Sequence, residues 1–129
     1  MTPKFKVNCI KLNFIGRDIN QWAIDKGFWE AGLSRNKGEM IALMHSELSE
    51  ALEELRAGND RTDVYYGEKH DALNNNEIAK PEGLPIELAD CIIRILDYCG
   101  EWSIDIDMAV AEKMAYNRNR SYRHGNKDF

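Results

Sequence analysis

Apolar residues recur along most of the chain at steps of three and four positions, and this spacing predicts four helices. The predicted helices cover residues 10–26, 37–57, 85–102 and 104–121. No stretch shows sustained alternation of apolar and polar residues, so no strand is predicted. Four helices joined by turns and one longer connection indicate an all-α fold with a four-helix bundle-like architecture.

The second and third predicted helices differ in how much of their surface is apolar. The second helix carries a single apolar stripe, which is formed by Ile41, Met44, Leu48, Ala51, Leu52 and Leu55. The third helix is apolar around most of its circumference, and this predicts a central position in the fold. Its remaining polar strip consists of Glu87, Asp90, Arg94 and Asp97.

A polar connection over residues 58–83 separates these two helices. It contains Gly67, a run of three asparagines and Pro81, and it shows no sustained period. Irregular connections of this length are uncommon and are often functional when ordered. A lid, a dimer arm and a flexible insertion all fit this composition. We interpret the connection as an insertion within one domain over residues 1–129.

The composition of the chain is that of an ordinary soluble domain. Hydrophobic residues make up 43% and charged residues 30% of the 129 positions. The three cysteines, Cys9, Cys91 and Cys99, cannot all pair with one another and form no C-x-x-C motif. We therefore expect reduced thiols and a cytoplasmic location. The N-terminal segment is too polar for a secretory signal, and no apolar run approaches the roughly 20 residues of a membrane helix.

The net charge of −5 argues against a stable nucleic-acid interface, although the charge is unevenly distributed. The segment 113–127 carries no acidic residue and contains Lys113, Arg118, Arg120, Arg123 and Lys127. This segment is either a solvated basic tail or a surface that binds phosphate groups.

Two pairs of acidic residues carry the most specific chemistry. Glu47 and Glu50 lie in the second predicted helix, and Glu87 and Asp90 lie in the third. Residues three apart share a helix face. The helical angle places Glu47 beside the apolar stripe, where an unpaired charge is costly. If the two helices are neighbours, four carboxylates meet, and Mg²⁺ or Mn²⁺ is the cation that such oxygen ligands suit best.

Surface position, salt bridging and other metal centres are alternative interpretations of these acids. The E-x-x-E spacing also occurs by chance on surface helices, since Glu is a strong helix former. Arg94, one turn from Asp90, would alternatively form a salt-bridge strip on the third helix. A di-iron centre is disfavoured because none of the three histidines completes a Glu-x-x-His motif, and no Cys/His spacing fits zinc.

The motifs resemble those of the MazG-like all-α nucleoside triphosphate pyrophosphohydrolases. The family hallmark is E-x-x-E followed by E-x-x-D on the next helix, and here it falls on Glu47, Glu50, Glu87 and Asp90. A Lys-x-x-x-Asn-x-x-Arg pattern falls on Lys113, Asn117 and Arg120. The resemblance is strong over residues 37–125 and weak over the first helix. Compact family members have a shorter link between the two acidic motifs.

The resemblance implies Mg²⁺-dependent hydrolysis of an NTP or dNTP to the monophosphate and pyrophosphate, with a role in house-cleaning of the nucleotide pool. Mn²⁺ is the expected substitute. The four carboxylates would hold the metal, with Glu47 or Glu50 orienting the attacking water. Lys113 and Arg120 would neutralise the leaving pyrophosphate, and Asn117 would hold a phosphate or sugar oxygen.

Base recognition is expected from an aromatic side chain of the first helix or its exit: Trp22, Phe28 or Trp29. The resemblance also implies a homodimer or homotetramer. Three alternatives stay open. They are a non-catalytic nucleotide- or metal-binding bundle, a structural interaction bundle with acidic stripes, and a phosphoribosyl-ATP pyrophosphohydrolase with the same fold and chemistry.

Overall fold

The computed structural model describes residues 10–30, 35–67 and 79–126, and these ranges are mostly helical. The helices are α1 (Leu12–Asp25), α2 (Lys37–Arg56), α3 (Leu84–Glu101), α4 (Ile106–Arg118) and the short α5 (Arg123–Asn126). The four long helices end within three residues of their predicted bounds, which confirms the all-α, four-helix prediction. None of the helices in the described ranges is long and apolar enough to cross a membrane.

A small antiparallel ladder, absent from the sequence-based expectation, lies in the polar connection. Strands β1 (Tyr65–Tyr66) and β2 (Pro81–Glu82) pair so that Tyr65 faces Glu82. Two-residue strands are too short to show an alternating pattern, so periodicity has no means of detecting them. The run of asparagines in the connection lies outside the described residues.

The chain divides into two compact units, and the boundary falls inside α3, between Ile95 and Leu96. Unit 1 contains α1, the C-terminal end of α3, α4 and α5. Unit 2 contains α2, both strands and the N-terminal part of α3.

In unit 1, the starts of α1 and α4 cap each other. One carboxylate oxygen of Asp107 accepts hydrogen bonds from the backbone N–H groups of Leu12 (2.8 Å) and Asn13 (3.1 Å). In return, the Asn13 side-chain oxygen accepts from the backbone N–H of Ile106 at 3.0 Å, and its amide donates to Asp105 at 2.8 Å. These bonds satisfy N–H groups that have no partner within their own helices.

Close backbone contact holds α1 against the end of α3 in unit 1. A Cβ at Gly100 would lie only 2.8 Å from the Gly16 carbonyl oxygen, so this approach requires glycine. Asn20 of α1 also donates to the buried Asp97 and to Glu101, both at 3.0 Å. The buried apolar side chains of unit 1 are those of Ala23, Leu96, Cys99 and Ala111.

In unit 2, α2 begins at an Asn36 cap, whose side chain accepts from the backbone N–H groups of Gly38 and Glu39. The Tyr65 hydroxyl donates to the Glu54 carboxylate at 2.8 Å and so joins β1 to α2. This bond to a carboxylate raises the pKa of Tyr65 to about 12. The buried apolar side chains here are those of Met40, Ala51 and Cys91.

Much of the predicted apolar surface is exposed in the single chain. Four residues of the α2 stripe are between 42% and 54% exposed: Ile41, Leu48, Leu52 and Leu55. On α3, Leu88, Ile92 and Ile93 are exposed as well. The other residues of α3 are buried or half-buried, so its apolar circumference is covered except at these three positions in the single chain. Periodicity reveals an apolar face without revealing what covers it.

Replacing Asp107 by Ala tests the mutual caps of unit 1. The substitution leaves two helix N–H groups of α1 without their acceptor, so we expect the free energy of unfolding to fall by about 1–2 kcal/mol. Chemical denaturation followed by circular dichroism measures this loss. Asp18→Ala, the same change at an exposed position of α1, is the control and should stay within about 0.5 kcal/mol of the wild type. Equal stability of the two variants would contradict the capping role.

Candidate metal centre

Three carboxylates converge within unit 2. One oxygen from each of Glu47, Glu50 and Glu87 lies within 4.8 Å of the other two. Glu47 and Glu50 are three residues apart on α2, and Glu87 lies in the first turn of α3. The two helices meet here, since the Cys91 thiol of α3 is 3.5 Å from the Met44 carbonyl oxygen of α2. Helical spacing supplies the pair on α2, and helix packing supplies the third member.

Glu47 is the most buried acid of this cluster, with a residue exposure of 7%. The Arg94 guanidinium reaches across from α3, and its Nε donates to Glu47 Oε1 at 2.5 Å. A buried carboxylate requires such a partner, since an uncompensated charge in the protein interior is costly. Among the described residues, Arg94 therefore forms its ion pair with an acid of the neighbouring helix.

Glu87 lies where negative charge accumulates. Burial, together with a hydrogen bond to Glu50 and repulsion from Glu50, Asp90 and Glu47, raises the pKa of Glu87 from 4.5 to about 7. Burial is the largest of these causes, and the neighbouring carboxylates add to it, so negative charge is disfavoured at Glu87 in the absence of a cation.

Asp90 stands beside the cluster without joining the group of oxygens within 4.8 Å. Burial and the charge of Glu47 raise the pKa of Asp90, whereas the charges of Arg94 and Lys80 act in the opposite direction. Lys80 immediately precedes β2 and was not identified from the sequence as a site residue. Lys80 lies in the polar connection, where the sequence shows no helical periodicity from which its position near the acids could be predicted.

The donor set fits a hard divalent cation. All the ligand atoms are carboxylate oxygens, the type that Mg²⁺ and Mn²⁺ prefer. Ligands about 2.1 Å from Mg²⁺ lie about 3 Å apart when adjacent and about 4.2 Å apart when opposite. The three oxygens lie within 4.8 Å of one another, which is close to this range. When fully ionised, the four carboxylates exceed the nearby Arg94 and Lys80 by two negative charges, which matches one divalent ion.

The predicted phosphate-binding residues lie in unit 1, and an aromatic ring joins two of them. The Lys113 ammonium is 4.9 Å from the centre of the Tyr116 ring, and the Arg120 guanidinium is 5.7 Å from it. Among the described residues, neither cation forms an ion pair with an acid. Asn117 is half-buried in the last turns of α4. Sequence reasoning missed Tyr116, although its spacing of three and four residues from the cations was a usable signal.

The aromatic side chains expected to recognise the base differ in exposure. Trp22 on α1 and Phe28 are about half exposed, at 50% and 51%. Trp29 is partly covered by Arg35, whose guanidinium lies 4.4 Å from the ring centre. Trp22 belongs to unit 1, whereas Phe28 and Trp29 belong to unit 2.

The thiols of the described residues have the features of packing groups. Cys91 and Cys99 are buried and free, and burial raises the pKa of Cys99, which disfavours the reactive thiolate. Cys9 lies outside the described residues.

Comparison of the chain with protein-family models, with curated proteins and with solved structures found no match. The resemblance to the pyrophosphohydrolases is therefore carried by the motif residues alone. The fold and the carboxylate geometry are observations independent of that resemblance.

Replacing Glu87 by Gln tests the excess of negative charge in the metal-free protein. The folded protein holds the Glu87 proton up to about pH 7, whereas the unfolded chain loses it near pH 4.5. The free energy of unfolding should therefore fall as the pH rises between these values. Glu87→Gln removes the charge that Glu87 carries at pH 8, so the variant should be more stable than the wild type at this pH. The gain should be on the order of 1 kcal/mol, since solvent screens the charges at this half-buried site. The gain should disappear near pH 4.5.

Thermal melts in EDTA across this pH range measure the effect. Glu53→Gln is the matched control, since Glu53 is an exposed acid of α2 that pairs only at the surface with Arg56. If both variants gained the same thermal stability at pH 8, the effect would come from the overall charge of the protein and not from the cluster. No gain for Glu87→Gln would show that the cluster carries no uncompensated charge.

Proposed function

We propose that the chain is a Mg²⁺-dependent pyrophosphohydrolase that cleaves an NTP or dNTP to the monophosphate and pyrophosphate. The observation that carries this proposal is the convergence of Glu47, Glu50 and Glu87 at a site with excess negative charge. Structural ion pairs normally balance their charges, whereas this cluster retains a requirement for a cation. The motif resemblance then favours phosphoanhydride hydrolysis among the reactions that a metal of this kind supports.

The carboxylates have two tasks in the proposed reaction. They hold the metal, which when bound would polarise the phosphate oxygens and promote ionisation of a water molecule. A carboxylate oxygen of Glu47 or Glu50 that is not used for coordination accepts a hydrogen bond from the attacking water and so orients it. Water adds at the α-phosphorus, and the bond to the oxygen that bridges the α- and β-phosphates breaks.

The motif resemblance assigns the leaving group to the basic residues in this proposal. Lys113 and Arg120 neutralise the charge that develops on pyrophosphate, and Asn117 donates to a phosphate or sugar oxygen. Tyr116 supports this role because its ring is close to both cations.

Base recognition is assigned to Trp22 in this proposal. Its half-exposed ring offers a surface on which a nucleobase can stack. A house-cleaning role and a cytoplasmic location complete the proposal. The free thiols of Cys91 and Cys99 are compatible with a reducing compartment.

A non-catalytic metal- or nucleotide-binding bundle is the second candidate. The contact between Arg94 and Glu47 favours it, because an internal cation already neutralises the most buried acid. Hydrolysis of phosphoribosyl-ATP involves the same bond chemistry, and the same screen for pyrophosphate release tests it.

We also propose a homodimer or homotetramer. The exposed face formed by Ile41, Leu48, Leu52 and Leu55 on α2 supports it, since these residues fall on one side of the helix. Burying apolar surface contributes about 25 cal/mol per Å², and specific interfaces bury about 1,200–2,000 Å² in total. A second copy of the chain would cover this face.

Replacing Glu50 by Gln tests the enzyme assignment. We expect pyrophosphate release in a panel of NTPs and dNTPs with Mg²⁺ or Mn²⁺, and a loss of at least about 100-fold in kcat for Glu50→Gln. The amide keeps the shape of the side chain but removes the charge that binds metal. Circular dichroism should show an unchanged fold, since Glu50 is exposed.

Glu53→Gln, three residues further along α2, is the control and should retain activity within about twofold. Wild-type protein that binds nucleotide with Mg²⁺ but releases no pyrophosphate would support the non-catalytic candidate. No turnover of any nucleotide, together with no binding of nucleotide or of Mg²⁺, would reject both.

Replacing Leu52 by Glu tests the oligomer. Leu52 is 54% exposed, so the charge should be tolerated within the single chain but not in an apolar interface. Light scattering should show a dimer or tetramer for the wild type and a shift to monomer for Leu52→Glu. Tyr122→Glu changes another exposed apolar position, 81% exposed and outside α2, and should leave the oligomer intact. A monomeric wild type at working concentration would refute this prediction.

A further inference from the structure

We infer that Arg94 is an internal counter-ion of the candidate metal centre, which stabilises the metal-free cluster and thereby weakens its affinity for metal. This inference rests on the metal site of the proposed function but not on hydrolysis. Its basis is the contact of a cationic side chain with one member of a group of metal-type ligands.

The geometry shows that Arg94 and a metal would draw on the same carboxylate. The Arg94 Nε binds Glu47 Oε1, while Glu47 is also one of the three acids whose oxygens converge. A carboxylate has two oxygens, so this bond leaves Oε2 of Glu47 available to a metal. The Glu47 side chain is only 9% exposed, whereas that of Arg94 is 39% exposed. The acid is therefore held in place by packing, and the arginine comes from the solvent side.

Two consequences follow for the metal-free and metal-bound protein. Without metal, Arg94 removes most of the cost of the buried Glu47 charge. With metal, the guanidinium lies near a divalent cation and repels it. Loss of Arg94 should therefore destabilise the metal-free protein and tighten metal binding at the same time.

An opposing effect is that Arg94 orients Glu47, so that its loss would weaken binding. Charge should outweigh orientation here, because the packed Glu47 side chain has little rotational freedom to lose. The repulsion of a divalent ion by a neighbouring unit charge in a partly buried site corresponds to at least about tenfold in affinity.

The experiment measures binding of Mn²⁺ alone to metal-free protein, by the loss of the free-ion signal in electron paramagnetic resonance. Arg94→Met should bind Mn²⁺ at least about tenfold more tightly than the wild type. Arg94→Lys keeps the charge and should stay within about threefold. Arg56→Met is the matched control, because it removes the same charge from an exposed pair with Glu53 on α2 and should change the affinity less than twofold.

Thermal melts provide the second readout. In EDTA, Arg94→Met should melt below the wild type, and saturating Mn²⁺ should raise its melting temperature by more than it raises that of the wild type. If Arg94→Met fails to fold without metal, Arg94→Gln replaces it. The amide donates to Glu47 without carrying charge, so it should fold and still bind Mn²⁺ more tightly than the wild type.

Equal or weaker Mn²⁺ binding by folded Arg94→Met and Arg94→Gln would overturn the inference, as would absence of Mn²⁺ binding in every form. Failure of the enzyme assignment gives a different result. In that case Mn²⁺ binding responds to Arg94 as described, and no nucleotide releases pyrophosphate. Hydrolysis by the wild type with no effect of Arg94 on Mn²⁺ affinity would keep the function and reject the counter-ion.

Discussion

The interaction on which the candidate site depends is the contact between a buried carboxylate and a guanidinium on neighbouring helices. Glu47 is buried where α2 meets α3, and it stays charged at modest cost because Arg94 lies against it. That single pair leaves Glu50 and Glu87 nearby without a balancing cation of their own. Burial and this imbalance together raise the pKa of Glu87. The helix packing that buries Glu47 also brings Glu50 and Glu87 close to it, and this concentrates the negative charge that would attract a metal.

The two units are stabilised by different local means. Unit 1 relies on backbone proximity and reciprocal caps, in which Asn13 and Asp107 each satisfy N–H groups of the other helix. Apart from Leu96, its buried apolar side chains are small, which suits the close approach at Gly16 and Gly100. Unit 2 instead fixes the start of α3 through the β1–β2 ladder and the bond from Tyr65 to Glu54. The charge of Lys80, which immediately precedes β2, opposes the burial that raises the pKa of Asp90, so the polar connection contributes to the electrostatics of the acidic cluster.

Large apolar residues remain exposed on α2, although the sequence presents them as a continuous stripe. A stripe of this kind reports that a helix has an apolar face. It does not report whether the covering surface belongs to the same chain or to another. In the proposed oligomer, a second copy of the chain supplies the covering surface. The same copy would cover Ile92, which is exposed on the otherwise apolar α3 of the single chain.

The sequence by itself determined the helices, because helical periodicity and capping residues are local and need no knowledge of distant contacts. It also determined that Glu47 and Glu50 share a helix face and that Glu47 borders the apolar stripe. Tertiary structure alone decided that Glu87 joins them while Asp90 stands aside, and that Arg94 turns toward α2. Those outcomes depend on how two helices pack and on which rotamers the packing permits, neither of which is encoded in the spacing of residues within one helix. Tertiary structure also decided that β1 pairs with β2 and that the Tyr116 ring lies near two cations, because a periodic pattern contains no information on these contacts.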